Sequence, residues 1–324
     1  MKLIIQIPCY NEEKTLPAVL KELPTKIDWI DIIETQIIND GSTDKTVKVA
    51  KKYGVDHIVE YIWNKWLWYA FKTGIENALK HWADIVVNTD WDNQYPSKYI
   101  AELVQPIINK QADIVIGNRQ TAKVAHFSPL KKFLQWLGSS MVRYLSWTTV
   151  TDSVSGFRAY SRDSLLRLNI VSRFSYVLDT IIQAGKKGFV ITEIKMHTNP
   201  PTRKSRLFTN IWQHIKKSTA DMIRIYAMYE PLKIFLVLAL PFAIVWFFGI
   251  GRFFFYYFLT DVEPWMVQSL IISGISMTIW ISLISMGIIW DLISKSRMIQ
   301  EDILYLNKTA KYWETNYEIK QKKK

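Results

Sequence analysis

The N-terminal part of the chain alternates short apolar runs with longer stretches of helical periodicity. The apolar runs predict strands at residues 2–7, 33–38, 57–61, 84–89, 113–117 and 189–196. Apolar residues at helical spacing predict helices near 13–22, 43–53, 69–82, 97–109, 129–145 and 174–187. This alternation is typical of a mostly parallel sheet with helices on both faces. We therefore expect an α/β, Rossmann-like fold for this part.

The pattern changes near the C-terminus, where the polar positions disappear. Residues 234–251 are uncharged and continue past Arg252 into a further apolar stretch, and residues 265–290 are also uncharged. Each run is long enough to cross about 30 Å of hydrocarbon as a helix. The sequence predicts a two-helix transmembrane hairpin after the α/β domain. Two buried core helices are the weaker alternative, because both runs are apolar on all sides.

The distribution of charge predicts how this hairpin is oriented. Residues 195–233 hold eight Lys or Arg against two acids, and residues 295–324 hold eight against four, within a formal net charge of +12. The positive-inside tendency predicts a multi-pass protein of the cell membrane with its N-terminal domain and both termini in the cytoplasm. Because the basic excess flanks the apolar runs, we expect anionic lipids rather than nucleic acid as its partner.

These patterns predict four segments. They are an α/β domain at 1–208, an amphipathic membrane-surface helix at 209–232, two transmembrane helices at 233–294 and a basic tail at 295–324. Packing of the amphipathic helix on the α/β domain is an equal alternative to a membrane-surface position. A homo-oligomer is compatible with the sequence, and the single cysteine, Cys9, excludes an internal disulfide.

Candidate chemistry begins where the apolar run 85–87 ends. Asp90, Asp92 and Gln94 follow it within one turn. Two carboxylates and an amide oxygen are hard ligands that suit Mg²⁺ or Mn²⁺ holding a diphosphate. Taken alone, such a pair is more often a solvated turn.

Two other predicted strands end in a similar way. The first runs into Pro8, Tyr10 and Glu12, and the second runs into Asp40 and the residues 41–44. Polar residues after parallel strands meet at one edge of the sheet, where ligands bind in open α/β folds. Three such strand ends together favour a ligand site over three unrelated turns.

As a set, the segments 7–13, 39–44, 90–94, 117–119, 155–158 and 204–206 resemble the family 2 glycosyltransferases in order and spacing. The resemblance covers roughly residues 1–210 and is strongest to the membrane-bound branch that transfers a sugar from a nucleotide to a polyprenyl phosphate, typified by dolichyl-phosphate mannose synthase. It implies the GT-A fold, with helices on both faces of the sheet.

The resemblance also implies roles for individual residues. It places the nucleotide-sugar donor at Pro8, Tyr10, Glu12, Asp40 and Asp90. It assigns the metal, Mg²⁺ or Mn²⁺, to Asp90, Asp92 and Gln94. It assigns the acceptor phosphate to the basic residues Arg119, Lys131, Lys132, Lys204 and Arg206. Arg119 and Asp152 are the candidate catalytic residues.

Several of these residues have structural alternatives. Asp40 precedes a Gly-Ser-Thr turn that it could simply cap. Asp152 could bond Arg158 or a turn amide instead of facing the anomeric carbon. Single basic residues are usually solvated, an alternative that applies to Lys131 and Lys132 more than to Arg119.

Tryptophans mark where this chain departs from the family. Trp91 lies between the two aspartates, and Trp66 and Trp68 stand where relatives have glycine-like residues. Strand alternation predicts that the Trp91 ring points away from the carboxylates. Trp66 and Trp68 either stack on the substrate or obstruct it, and obstruction predicts that glycine at both positions tightens donor binding.

The sequence thus predicts a metal-dependent, inverting glycosyltransferase that acts on a polyprenyl phosphate at the cytoplasmic face, with a UDP- or GDP-linked donor. A phosphate acceptor is already anionic near neutral pH, so it needs no strong base. One alternative is transfer to a lipid or polysaccharide hydroxyl, which requires a base such as Asp152. The other is a non-catalytic, nucleotide-sugar-binding membrane scaffold.

Overall fold

A computed structural model describes residues 1–120, 129–171, 176–200, 211–259 and 264–322 of the protein, without side chains at 129–135, 211–215, 218, 264–266 and 314–322. It divides into two compact units. The first is Met1–Met222 together with Asp302–Lys324, and the second is Ile223–Glu301.

The first unit is built on a seven-stranded sheet. Its strands are β1 (Lys2–Cys9), β2 (Ile32–Asn39), β3 (His57–Glu60), β4 (Ile85–Asn88), β5 (Ile114–Asn118), β6 (Arg158–Ser161) and β7 (Ile191–Lys195). The spatial order is β3-β2-β1-β4-β6-β5-β7, and only β6 runs antiparallel to its neighbours. Central β1 is buried from Leu3 to Cys9, as expected for a parallel strand covered on both faces.

Helices connect and cover these strands. They are α1 (Leu16–Glu22), α2 (Thr46–Lys52), α3 (Leu67–Lys80), α4 (Tyr99–Ile108), α5 (Pro129–Ser146), α6 (Arg162–Arg167), α7 (Tyr176–Lys186) and α8 (Ile211–Tyr229). The predicted mostly parallel α/β architecture with helices is confirmed. The sequence missed β6 and α6, because β6 is only four residues long and begins with an arginine.

A glycine lets α3 approach the centre of the sheet closely. A Cβ on Gly74 would lie 2.3 Å from Oε1 of Gln6, a buried residue of β1. Gln36 on β2 donates through Nε2 to the Gly74 carbonyl at 2.8 Å, and Gln6 donates to Asn88 Oδ1 at 3.1 Å. These bonds satisfy buried amide groups, and a buried amide without a partner would destabilise the fold. The network continues through Asn88 towards the polar edge of the sheet.

The second unit contains the apolar helices. Helix α9 (Pro231–Leu259) has a mean hydropathy of 2.5 over its most apolar window, and the candidate span within α10 (Pro264–Lys322) has 1.9. Most of their large apolar side chains are exposed, which fits helices that face lipid rather than a protein core. The predicted pair of long apolar C-terminal helices is confirmed as two candidate spans.

The end of α10 returns to the first unit, where residues 302–313 form what we call the docking segment. Lys308 Nζ donates to the carbonyl oxygens of Leu166 and Leu168 and to Asn169 Oδ1, at 3.4, 3.2 and 2.8 Å. Tyr312 is buried. No sequence pattern predicted that this stretch packs on the α/β fold.

Candidate active site

The strand ends that the sequence singled out lie at one edge of the sheet. Cys9 at the end of β1 pairs with Asn39 at the end of β2, and Gln6 pairs with Asn88 at the end of β4. All three strands are parallel, so the segments after them emerge side by side. The structure therefore brings residues 10–12, residue 40 and residues 90–94 together, as the sequence predicted.

The residues proposed for the donor have different environments. Pro8 is buried within β1, whereas Tyr10 is 38% exposed. Glu12 is buried, and its carboxylate accepts the Thr15 hydroxyl at 2.8 Å just before α1. Part of the role of Glu12 is therefore to hold the start of this helix.

Asp40 is buried at the start of the turn after β2. Its carboxylate accepts the backbone N–H of Lys65 at 2.7 Å, and the backbone N–H of Trp66 lies close to it. Burial raises the pKa of Asp40 above its ordinary value, although both backbone N–H groups act in the opposite direction. The carboxylate fixes the loop before α3, a task that the sequence did not reveal.

The turn after β4 places Asp90 against the backbone of Gly156. A Cβ at Gly156 would lie 3.6 Å from each carboxylate oxygen of Asp90, an ordinary van der Waals distance, so the Asp90 carboxylate lies directly beside this backbone. Asp92 Oδ1 accepts the Gln94 N–H at 3.1 Å and closes the turn, in which Asn93 has a φ of 54°. Asp90, Asp92 and Gln94 are thus held within one tight loop.

These residues fit a divalent cation. Burial, followed by the charge of Asp92, raises the pKa of Asp90 to about 7, while Arg119 opposes the shift. A cation between the two carboxylates would remove their repulsion, and hard oxygens suit Mg²⁺ or Mn²⁺. Among the described residues, no group of three His, Cys, Asp or Glu could hold a metal. The amide oxygen of Gln94 and the oxygens of a diphosphate would therefore have to complete the coordination.

The Trp91 ring packs away from this carboxylate pair. It is partly buried against an apolar cluster that includes Ile7, Cys9 and Leu16. This packing agrees with the strand alternation that the sequence predicted. Trp91 therefore contributes to the core below the turn.

Arg119 and Asp152 form one buried ion pair. The Arg119 backbone N–H and Nε donate to Asp152 Oδ2 at 3.0 and 2.8 Å, and Nη2 donates to Oδ1 at 2.8 Å. Burial alone would raise the pKa of Asp152, but the Arg119 guanidinium and its hydrogen bonds hold the pKa below its ordinary value. The sequence assigned these residues separate roles, and the structure joins them.

Arg158 has a structural position. It is fully buried, and it donates to the carbonyl oxygens of Ser153, Ser155 and Val177 at 2.9, 2.8 and 2.8 Å, and to Thr180 Oγ1 at 2.8 Å. These bonds hold the loop between Asp152 and β6 in shape. The direct bond between Asp152 and Arg158 that the sequence left open is replaced by the bond to Arg119.

Two buried tyrosines beside Asp90 escaped the sequence analysis. Tyr95 OH accepts the Gly156 N–H at 3.4 Å, and its ring stacks on Phe157 with centroids 5.3 Å apart. Tyr176 OH accepts Asn88 Nδ2 at 3.1 Å. Burial raises the pKa of Tyr95 to about 12, which keeps the phenol neutral. Tyr95 follows Gln94 directly, and that adjacency is the only signal that could have identified it.

Four of the predicted acceptor residues cannot be placed. Lys204 and Arg206 lie outside the described residues, and the side chains of Lys131 and Lys132 on α5 are outside the description as well. Arg119 is the one member of that predicted set whose side chain the structure describes.

Trp66 and Trp68 lie on either side of the start of α3. Trp66 precedes α3 with a φ of 74°, and Trp68 lies inside the first turn of that helix. Trp68 is partly buried and contacts Tyr69 edge to face at 5.4 Å between centroids. Helical geometry therefore begins between these two tryptophans.

Comparison with known proteins identifies the family of this chain. The model for glycosyl transferase family 2 matches residues 4–168. The chain is 32% identical over 213 residues to a UDP-N-acetylglucosamine–dolichyl-phosphate N-acetylglucosaminyltransferase of Methanococcus voltae, covering 59% of this chain and 83% of that protein. It is 24% identical over 204 residues to an undecaprenyl-phosphate mannosyltransferase of Micrococcus luteus, covering 60% and 82%.

A solved structure supports the fold. Glucosyl-3-phosphoglycerate synthase from Mycobacterium tuberculosis, in complex with Mn²⁺, UDP and phosphoglyceric acid, superposes with a TM-score of 0.53. The match has 18% sequence identity and covers 70% of this chain and 77% of that one. The sheet order, the strand-end motifs and the family match together show that the chain belongs to the family 2 glycosyltransferases, with a GT-A fold.

Proposed function

We propose that this glycosyltransferase moves one sugar from a nucleotide-sugar donor to a polyprenyl phosphate at the cytoplasmic face of the membrane. The observation that carries the proposal is that Asp40 and the pair Asp90 and Asp92 follow the two parallel strands that flank β1, with Arg119 close to Asp90. The donor motifs supply a place for a nucleoside diphosphate, and the relatives named above act on lipid phosphates.

The reaction forms one bond and breaks one bond. A phosphate oxygen of the acceptor attacks the anomeric carbon as the bond to the donor diphosphate breaks, and the nucleoside diphosphate leaves with the electron pair. Direct attack inverts the anomeric centre. Mg²⁺ or Mn²⁺, held by Asp90, Asp92 and Gln94, would neutralise charge on the leaving diphosphate.

The state of Asp152 favours a phosphate acceptor over a hydroxyl acceptor. A hydroxyl needs a base to remove its proton, but ion pairing with Arg119 keeps the pKa of Asp152 low, and a carboxylate of low pKa is a weak base. A phosphate monoester has its second pKa near 6, so it is already anionic at neutral pH and needs no strong base. In this proposal Asp152 positions Arg119, and Arg119 binds a phosphate oxygen.

Membrane attachment completes the proposal. The apolar helices α9 and α10 would anchor the enzyme, and the basic stretches beside them would contact anionic lipids. A long isoprenoid acceptor is confined to the bilayer, so an anchored enzyme meets it at high local concentration.

The test uses detergent-purified full-length protein, Mn²⁺ and a panel of radiolabelled nucleotide sugars. We expect label to enter the lipid phase with a polyprenyl phosphate and not with the matching polyprenol, and the product to be cleaved by mild acid. Asp92→Asn should lower turnover by roughly 100-fold or more, since loss of one electrostatic contact to the transition state costs on the order of 10²–10³ in kcat. Glu102→Gln, an exposed carboxylate on α4, is the control.

Three results would contradict the proposal. Labelling of the polyprenol would assign the enzyme to a hydroxyl acceptor. Full turnover in excess chelator would show that the reaction does not require a metal. If the protein binds nucleotide but labels neither acceptor, the scaffold alternative is correct.

A further inference from the structure

The loop between β3 and α3 is fixed to the proposed donor turn. A Cβ at Gly41 would lie 2.6 Å from the Trp63 carbonyl carbon and 2.7 Å from the Asn64 nitrogen, so the two backbones touch. The Lys65 N–H donates to the Asp40 carboxylate at 2.7 Å, and the next N–H, that of Trp66, lies close enough to lower the pKa of this carboxyl. The loop therefore has a defined position over the donor turn.

A lysine braces this loop. Lys65 Nζ lies 5.0 Å from the Tyr61 ring centroid and 4.7 Å from that of Tyr69, and the two rings contact each other edge to face at 5.3 Å. Cation–π contacts of this kind hold an ammonium group in place. Trp66 follows on a supported backbone, and its N–H is also 3.0 Å from Asn64 Oδ1.

The Trp66 side chain is 69% exposed although its backbone is fixed. A φ of 74° is unfavourable for a tryptophan, and glycine would adopt it without strain. Exposure and strain alone do not mark a site, because Trp29 is 78% exposed with a φ of 67°. Trp29 precedes β2 at the opposite edge of the sheet, whereas the Trp66 amide contacts a proposed donor-binding carboxylate.

We propose that Trp66 is a stacking platform for the nucleobase of the donor. The proposal rests on the proposed function, because it assumes that the donor is a nucleotide sugar. Tyr10 leaves the adjacent strand end, where the Asp40 N–H bonds to the Cys9 carbonyl at 2.9 Å, and places a second aromatic ring near the same turn. The base would lie on the indole with its edge towards the Asp40 carboxylate.

In this proposal, stacking on Trp66 provides affinity, and the hydrogen bond to Asp40 selects the base. Every nucleobase has an aromatic face, so stacking on Trp66 tolerates all of them. The Asp40 carboxylate only accepts hydrogen bonds, and uracil N3–H and guanine N1–H can donate to it, whereas cytosine and adenine have unprotonated ring nitrogens there. The platform therefore favours uridine and guanosine nucleotides through Asp40 and supplies affinity through Trp66.

The experiment measures the affinities of UDP, GDP and CDP by calorimetry with the detergent-purified full-length protein in Mn²⁺. We expect Trp66→Ala and Trp66→Gly to weaken UDP and GDP by at least tenfold, whereas Trp66→Phe stays within a few-fold of wild type. Asp40→Asn should reduce the preference for UDP and GDP over CDP. Trp29→Ala is the matched control and should bind like wild type.

The glycine variant keeps the test independent of folding. Because glycine adopts the φ of residue 66 freely, Trp66→Gly should melt at the wild-type temperature or above while it binds UDP more weakly. Equal or tighter binding would overturn the proposal and show that the ring obstructs the donor. Weaker attachment to anionic vesicles with unchanged UDP affinity would overturn it in favour of a lipid contact.

Failure of the inference and failure of the proposed function are distinguishable. Unchanged UDP binding by the Trp66 variants, with normal labelling of lipid, rejects only the platform. Wild-type protein that binds UDP through Trp66 but labels no lipid rejects only the transfer reaction. Wild-type protein that binds no nucleotide rejects both.

Discussion

At the scale of single residues, the Arg119–Asp152 ion pair joins two loops of the site through three hydrogen bonds of 3.0, 2.8 and 2.8 Å. Both residues were predicted to lie in the site, from motifs on different segments. Their pairing was not predicted, because it joins positions 33 residues apart and depends on how the loops after β5 and before β6 meet. Tyr95 and Tyr176 were missed for the same reason: their hydroxyl groups matter only through contacts made by the folded chain.

Asp152→Asn should therefore lower the free energy of unfolding at pH 7 by roughly 3–5 kcal/mol, because it leaves a buried guanidinium without its charge partner. The pKa of Asp152 is lowered in the folded state, so its stabilisation is present above about pH 4 and is lost as pH falls through the folded pKa. In thermal melts from pH 7 to pH 3, the difference in melting temperature between Asp152→Asn and wild type should shrink below pH 4. Glu102→Gln is the exposed control, and a difference that does not change with pH would contradict this account.

At the scale of elements, apolar runs predicted the long buried strands, whereas β6 and the docking segment were missed. An arginine suggests a surface position, yet Arg158 at the start of β6 is fully buried, and one of its carbonyl partners is Val177, 19 residues along the chain. The docking segment reads as a basic tail. Its contacts join Lys308 to residues about 140 positions earlier, which no local pattern can reveal. Both elements therefore depend on hydrogen bonds between segments that are distant in the sequence.

Lys308→Met should destabilise the first unit by roughly 1–3 kcal/mol, because the change removes an ammonium donor from three oxygens and leaves those oxygens unsatisfied where they are buried. Lys311→Met is the matched control, because Lys311 is exposed on the same helix. Thermal melting of both full-length variants measures the effect. Equal melting temperatures would show that the docking segment contributes little to stability.

At the scale of the whole molecule, the chain combines a soluble-type α/β fold with an apolar pair of helices. The sequence predicted this combination because the charge and hydropathy contrasts are long and continuous. The sequence did not predict that residues 302–324 belong to the first unit. The proposed donor residues all precede residue 95, so donor binding should depend little on the helical pair.

Full-length protein should accordingly remain in the membrane fraction after washing with high salt and then with alkaline carbonate. Truncation after Glu230 removes both apolar helices and the docking segment. We expect the truncated protein to be released by these washes and to bind UDP, but to melt at a lower temperature than the full chain. Release of the full-length protein by salt alone would show that neither apolar helix spans the bilayer.

The docking segment also sets an order of events during synthesis. A ribosome delivers the chain from its N-terminus, so the surface formed by Leu166, Leu168 and Asn169 emerges long before Lys308. That surface stays uncovered until both apolar helices have been translated. If only one of them crossed the bilayer, the docking segment and the rest of its unit would end on opposite sides. In the proposed topology, completion of the first unit would therefore depend on correct insertion of both helices, and a half-inserted chain would present an unfinished surface to the proteases and chaperones that remove faulty proteins.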